Sequence, residues 1–438
     1  MPLHALRRLA AACLLALPAA ALQAANDGID AALDLADEAP APASPAAAPV
    51  AAKPWALQIE ASALDTTRRD DGRSPHSLLA LDFSLDQSLA RDWRGVLAWR
   101  ADVSDPLADR RSTASTLKEA YVRWQPQPQA LLELGRVNLR NGSAYGWNPT
   151  DFFKTQSVRS LVSAEPESLR KNRFGSVMLR GQVLWTGGSA SLALSPRLAG
   201  RRPDGSLPTS DLAGRSLDDD SLARTNGSDR WLLTASHQLG ERSQVQGLLF
   251  GGEGQSVQAG IDFSALVGQA TTVHAEWAGG RLEPLLDRAL ATDGGRRFRS
   301  RAALGLTHTF PIDLSVTVEA YYNEAAPSRG QWRALGAASP SALGHALLWS
   351  WAQQEQPSRE AVFVHAIWRN VVRHRLDLSG FVQADTDAGG RQYWLEARQR
   401  FDAWDLALRW QQQTGPAWTR FGAVPERRTV QLLAAFYY

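Results

Sequence analysis

The side chains able to do covalent chemistry are few and scattered. Beyond the amino-terminal segment, histidines stand at 76, 237, 274, 308, 345, 365 and 374. None lies in a nucleophile motif, and no two sit at metal-ligand spacing with an acid beside them. Cys13 is the only cysteine and falls within an export signal, which removes thiolate catalysis, cysteine-bound metal and disulfides from consideration. We therefore expect no catalytic residue, no metal and no cofactor. What the chain concentrates is charge. From Gly135 to Arg173, Arg136, Arg140, Lys154, Arg159, Arg170, Lys171 and Arg173 stand against Asp151, Glu165 and Glu167, seven less three, a surplus of four. Held at a narrow, low-dielectric opening, such charges act on ions far more than they would in bulk water. A second set, Arg369, Arg375, Arg398, Arg400 and Arg409, is set against Asp377, Glu396 and Asp405. It has two readings: ion selectivity, or cross-strand ion pairs that solvate a wall.

Charges used this way need elements that hold them facing inward. From Trp55 onward the chain repeats about ten residues of alternating apolarity and then a connection. Ile312, Leu314, Val316, Val318, Ala320 and Tyr322 share one face of such a unit, and Asp313, Ser315, Thr317, Glu319 and Tyr321 the other. Val273, Ala275 and Trp277 alternate with His274 and Glu276 in the same way, and His274 and His365 are expected to line an interior. The pattern predicts about 18 strands, starting near residues 55, 78, 92, 116, 130, 174, 188, 229, 243, 255, 269, 298, 312, 360, 373, 391, 403 and 428, to within about three residues. Short connections alternate with mostly long ones. If the brief connection near Gly251–Gly254 fails to divide two strands, about 16 remain. This layout predicts an all-β fold, a transmembrane antiparallel β-barrel over residues 55–438 with both termini periplasmic. Sixteen to eighteen strands leave an aqueous lumen, whereas about eight would be filled by side chains.

The two ends agree with that destination. Arg7 and Arg8 precede the apolar run Leu9 to Leu22, and small residues follow, so residues 1–25 read as a cleaved signal peptide. Residues 26–54 are acidic and then rich in Ala and Pro, a flexible periplasmic tail that is either a spacer or a recruitment site for a periplasmic partner. At the other end Val430, Leu432, Ala434, Phe436 and Tyr438 share one apolar face. In lipid every backbone group must pair, which forces a sheet to close and its outer face to be apolar. A net charge of +2 gives no case for nucleic acid.

The longest connection of interest, residues 140–173, is neither low-complexity nor simply hydrophilic. Tyr145, Trp147, Phe152 and Phe153 need burial, and a lumen wall supplies it, so this loop is expected to fold inward and narrow the pore. Gly135-Arg136, then Tyr145-Gly146-Trp147, then Asn148-Pro149-x-Asp151, resembles the corresponding region of porin-like and alginate-export-like outer-membrane barrels of Gram-negative bacteria. That resemblance implies an 18-stranded channel; the likeness of the carboxyl end to such barrels implies that Phe436 and Tyr438 are read by the barrel assembly machinery. The expected constriction and lumen residues are Arg136, Arg140, Asp151, Lys154, Arg159, Arg170, Arg173, Arg375, Arg398, Arg400 and Arg409. Three functions fit: an outer-membrane channel for passive diffusion of small hydrophilic, anionic or neutral solutes; an outlet exporting a polysaccharide or other secreted product; or a non-conducting structural or adhesive barrel. A polymer outlet needs a continuous basic track, a plugged barrel needs loops such as Asn323 to Ser358 packed across the opening, and a diffusion channel needs only a charged eyelet. An enzyme is not expected.

Overall fold

A computed structural model describes residues 53–105, 112–157, 163–200 and 220–438. The expected signal peptide, residues 26–52 of the expected tail, and Arg159 lie outside the described residues. Strands β1 (Trp55–Arg68), β2 (Arg73–Ala90), β3 (Trp93–Ser104), β4 (Ser112–Gln127), β5 (Ala130–Val137) and β6 (Ser176–Trp185) open the fold. They continue as β7 (Gly188–Ser195), β8 (Arg230–Gln238), β9 (Ser243–Gly252), β10 (Gln255–Val267), β11 (Thr271–Leu282) and β12 (Arg297–Phe310). The last are β13 (Leu314–Asn323), β14 (Glu360–Trp368), β15 (Leu376–Asp385), β16 (Arg391–Arg400), β17 (Trp404–Thr414) and β18 (Glu426–Tyr437). Each pairs antiparallel with its neighbours in sequence, and β18 returns to β1, with Ile59 opposite Phe436 and Thr66 opposite Thr429. The 18-stranded sheet is therefore a closed barrel with no free edge.

Period-two alternation sets which way each side chain faces. On β18, Val430, Leu432 and Phe436 are exposed while Gln431, Leu433 and Ala435 are buried. On β14 the same rule puts Val362 and Val364 outside and Phe363 and His365 inside. The outer wall is thus a belt of exposed Leu, Val, Ile and Phe that water does not stabilise and hydrocarbon does. Trp55, Trp93, Trp124, Trp185, Trp368 and Phe401 ring the strand ends at the rim shared by Trp55 and Tyr437, where amphipathic rings favour a lipid–water boundary. Trp93 stacks on Trp124 at 5.7 Å and Phe401 on Trp404 at 3.9 Å, across adjacent strands and a turn. Among the described residues no helix is long and apolar enough to cross a membrane.

The strand count matches the sequence reading at 18, and Glu253-Gly254, with Gly254 at φ +71°, is a true turn between β9 and β10. Two starts differ. β2 begins at Arg73 and β4 at Ser112, earlier than residues 78 and 116. The ladder there continues past the apolar belt through Arg73–His76 and Ser112–Thr113, and backbone pairing needs no apolar side chain to persist. The longer connections carry short helices: α1 (Pro166–Lys171), α2 (Asp220–Thr225), α3 (Leu285–Leu290), α4 (Arg329–Ala338) and α5 (Pro340–Ala352). Ser328 and Gln331 form a capping box on α4. Leu285, Ala289, Trp332, Leu343, Ala346 and Trp349 bury one another as a helical cap, and the Trp332 indole donates to the Pro357 carbonyl at 2.9 Å.

Candidate functional site

The third long connection, residues 138–175 (loop 3), lies against the inner wall. Tyr145 stacks on His365 of β14 at 4.5 Å, Trp147 meets Tyr321 of β13 edge-on at 5.8 Å, and Phe152 stacks on Phe250 of β9 at 4.8 Å. Since β9 and β14 stand well round the barrel from β5 and β6, the loop crosses the interior. Trp147, Phe152 and Phe153 are buried there, and Tyr145 is half-buried.

Lacking a ladder, the loop must satisfy its backbone N–H groups elsewhere. Two wall carboxylates do this. Glu276 on β11 accepts from Ala144 N at 2.5 Å, Asn148 Nδ2 at 3.0 Å and Thr150 Oγ1 at 2.9 Å. Glu319 on β13 accepts from Tyr145 N at 2.6 Å and Gly146 N at 2.9 Å, is bonded to the Tyr321 hydroxyl, and sits 2.7 Å from His274 Nε2. The glycines permit this approach. A Cβ at Gly146 would collide with the Tyr321 hydroxyl, and one at Gly142, where φ is +90°, would lie 2.6 Å from the Glu276 carboxylate.

Most of the basic residues expected at the constriction form the loop's internal frame. Arg173 pairs with Asp151 at 2.8 Å with both side chains essentially inaccessible, and it also donates to Asn138 Oδ1 and the Leu139 carbonyl. Arg170 donates to the carbonyls of Asn141, Gly142 and Ala144. Lys154 donates to the Asn148 carbonyl and lies 5.0 Å from the Trp147 ring centre; burial brings its ammonium down to about 8. Arg136 donates to the Gly175 carbonyl at 2.7 Å beneath Phe174. Arg140, by contrast, is partly exposed and faces Glu167 at 3.4 Å.

On the late strands Arg398 and Arg409 both engage Glu396, at 2.8 and 2.5 Å, Arg398 also reaches Asp405, and Arg400 pairs with Asp377 at 2.9 Å. Arg398 thus pairs within its own strand and across to β17, while Arg409 and Arg400 pair across to β16 and β15. Arg375 is not on a strand. With Asn370, Val372 and Arg375 itself at positive φ, residues 369–375 form a turn, and Arg375 pairs with Asp402 of the next turn at the rim. Phe436 points outward, and Tyr438 N completes the ladder to the Leu57 carbonyl at 2.9 Å.

A cavity of about 670 Å³ runs from the rim at Ala56 and Tyr438 along β1, β2 and β18 to α1. Asp82, Glu119 and Glu167 line it together with Lys118, Arg140 and Lys171, so its charges balance. Lys118 holds both oxygens of Asp82 at 2.7 Å, and behind them Arg100 engages Glu60 and Asp102. The sequence reading missed Asp82, Lys118 and Glu119 because it located strands by their apolar face. Acids and bases on the opposite face of β2 and β4 were the available signal. Among the described residues no group of three His, Cys, Asp or Glu is placed to hold a metal ion.

No known protein family and no curated protein matches the sequence. Solved structures do match in shape. OccK5 (OpdH) of Pseudomonas aeruginosa aligns with a TM-score of 0.54 at 8% identity, over 87% of this chain and 97% of that one. OccAB4 of Acinetobacter baumannii aligns at 0.49 with 8% identity over 88% and 97%, and a mutant porin of Rh. blastica at 0.41 with 11% identity over 88% and 100%. At such identities the likeness to OccK5 is one of fold alone: the chain is a porin-like closed barrel.

Proposed function

We propose that this barrel is an outer-membrane channel for passive diffusion of small hydrophilic solutes, reached through the export signal at residues 1–25 and the assembly machinery acting on the Phe436 and Tyr438 end. The observation that carries the reading is the inward loop 3, anchored by Glu276 and Glu319, beside a cavity that stays polar and charged. The lining of three acids and three bases suits neutral solutes and gives no strong preference for anions, since side chains of both signs stand in it. It also speaks against a polymer outlet, which needs a continuous basic track. The tail at 26–54 keeps its two readings, spacer or periplasmic docking segment, and no part of the proposed mechanism is catalytic.

The test is single-channel current in planar bilayers under a salt gradient. We expect steady conductance with weak charge selectivity. Replacing Arg140 and Lys171 with Glu should turn the reversal potential toward cations, an effect that fades near molar salt, where the screening length is about 3 Å. Silent, well-folded protein would point to the structural barrel instead.

A further inference from the structure

A row of outward-facing residues crosses β5 to β9 at the end of the barrel away from Trp55 and Tyr437. Leu134 pairs with Leu179, Leu179 with Leu194, Leu194 with Trp231, and Trp231 with Gly251. Ladder partners share one face of a sheet. Leu134, Leu179 and Leu194 are all exposed, on the side that meets lipid. The wall is not smooth here. The row, with Val177 and Pro196, lines a groove of about 680 Å³ that ends at Asp229 and Glu253. Trp231 rests against β9 because residue 251 is glycine; a Cβ there would lie 2.7 Å from the indole. The mouth of the groove holds charge of both signs. Arg197, just past β7, pairs with Glu253 at 3.4 Å, and its backbone N–H donates to Asp229 Oδ1 at 2.7 Å. The Arg197 and Glu253 side chains are each half-exposed, so both are open to a ligand.

We propose that this groove seats one phospholipid with a zwitterionic, amine-bearing headgroup. An acyl chain lies along Leu134, Leu179, Leu194 and Trp231, the phosphate meets Arg197, and the ammonium meets Glu253 and Asp229. The groove is continuous with the apolar belt, so hydrocarbon surrounds it. In hydrocarbon an unfilled groove forfeits dispersion contacts, and a thin, flexible chain recovers them. A second barrel would meet this face with a convex wall of far larger radius and leave the groove empty. At the mouth, two acids and one base repel a headgroup that is only anionic. One that carries an ammonium beside its phosphate matches both signs through charge-assisted hydrogen bonds. The site lies on the outside of the barrel, so it rests on the membrane setting of the fold and not on conduction through the lumen.

The test uses the full-length protein in nanodiscs of phosphatidylglycerol doped with a phosphatidylethanolamine that bears a diazirine on its acyl chain. After irradiation, peptides of β6 to β8 should carry several-fold more label than those of the similarly exposed belt at Val362 of β14 and Val382 of β15. Unlabelled phosphatidylethanolamine should compete that excess away, and added phosphatidylglycerol should not. Leu194→Trp fills the groove, and Arg197→Gln removes the phosphate partner without touching a strand. Each should bring the labelling down to the level of the belt while heat-resistant migration on gels persists. Should Leu194→Trp fail to assemble, Arg197→Gln decides alone. Even labelling around the belt overturns the proposal, as does an excess that phosphatidylglycerol or lipopolysaccharide displaces equally well. Rapid, complete disulfide linking of two copies through Leu194→Cys would place a second barrel on this face, and overturns it too.

Discussion

Arg173 and Asp151 set the terms on which loop 3 exists. Both are buried, and their two parallel contacts leave neither charge uncompensated. Removing one partner strands the other in a medium that solvates it poorly, at about 3–5 kcal/mol. Arg173→Met should therefore open loop 3 to proteolysis in detergent while the strands stay protease-resistant, and adding Asp151→Leu should restore much of the protection. An undigested loop in the single variant would show that the pair is dispensable. Gly146 poses the steric counterpart. Gly146→Ala puts a methyl onto the Tyr321 hydroxyl and the Phe363 ring, so it should displace the Tyr145–Trp147 segment from β13 without altering any charge. Tyr145, whose hydroxyl burial and Glu165 keep protonated, would then lose its stack on His365.

At the scale of the strand, alternation makes adjacent positions opposite in consequence. Leu81 on β2 faces outward, and Ser84 lines the cavity. Leu81→Arg should cost about 2–4 kcal/mol at mid-belt, and Ser84→Arg little. Urea unfolding into lipid vesicles measures both, and equal losses would mean that β2 is shifted by one residue. The same asymmetry explains what could be read beforehand. The outer face of each strand is chosen by lipid, a uniform partner, so Val316, Val318 and Leu432 announce themselves from local sequence. An inner charge answers to a partner elsewhere in the chain: Glu276 serves Ala144 from 132 positions away, and Arg100 serves Glu60 from 40. That is why the need of the loop 3 aromatics for partners was legible, whereas the hydrogen bonds of Lys154 and Arg170 within the loop, and the place of Asp82 and Lys118 along the cavity, were not.

For the whole molecule, closure rests on one seam. Tyr437 N donates to the Ala403 carbonyl, Tyr438 N to the Leu57 carbonyl, and the Tyr437 hydroxyl to Asp405. Deleting Phe436 to Tyr438 should leave β1 and β17 with unpaired backbone at the rim, and heat-resistant migration on gels should be lost. A truncated chain that still migrates as a compact species would contradict this. The seam also fixes an order of events. Thr66 meets Thr429 across 363 positions, nearly the full length of the barrel, so these contacts carry the greatest loop-closure entropy in the fold and come late. A sheet in which β18 has not yet joined β1 has two unpaired edges and an oily face. Such a sheet has to be kept apart from its own kind until the seam forms, and its solubility until then is a problem of kinetics that the closed barrel no longer shows.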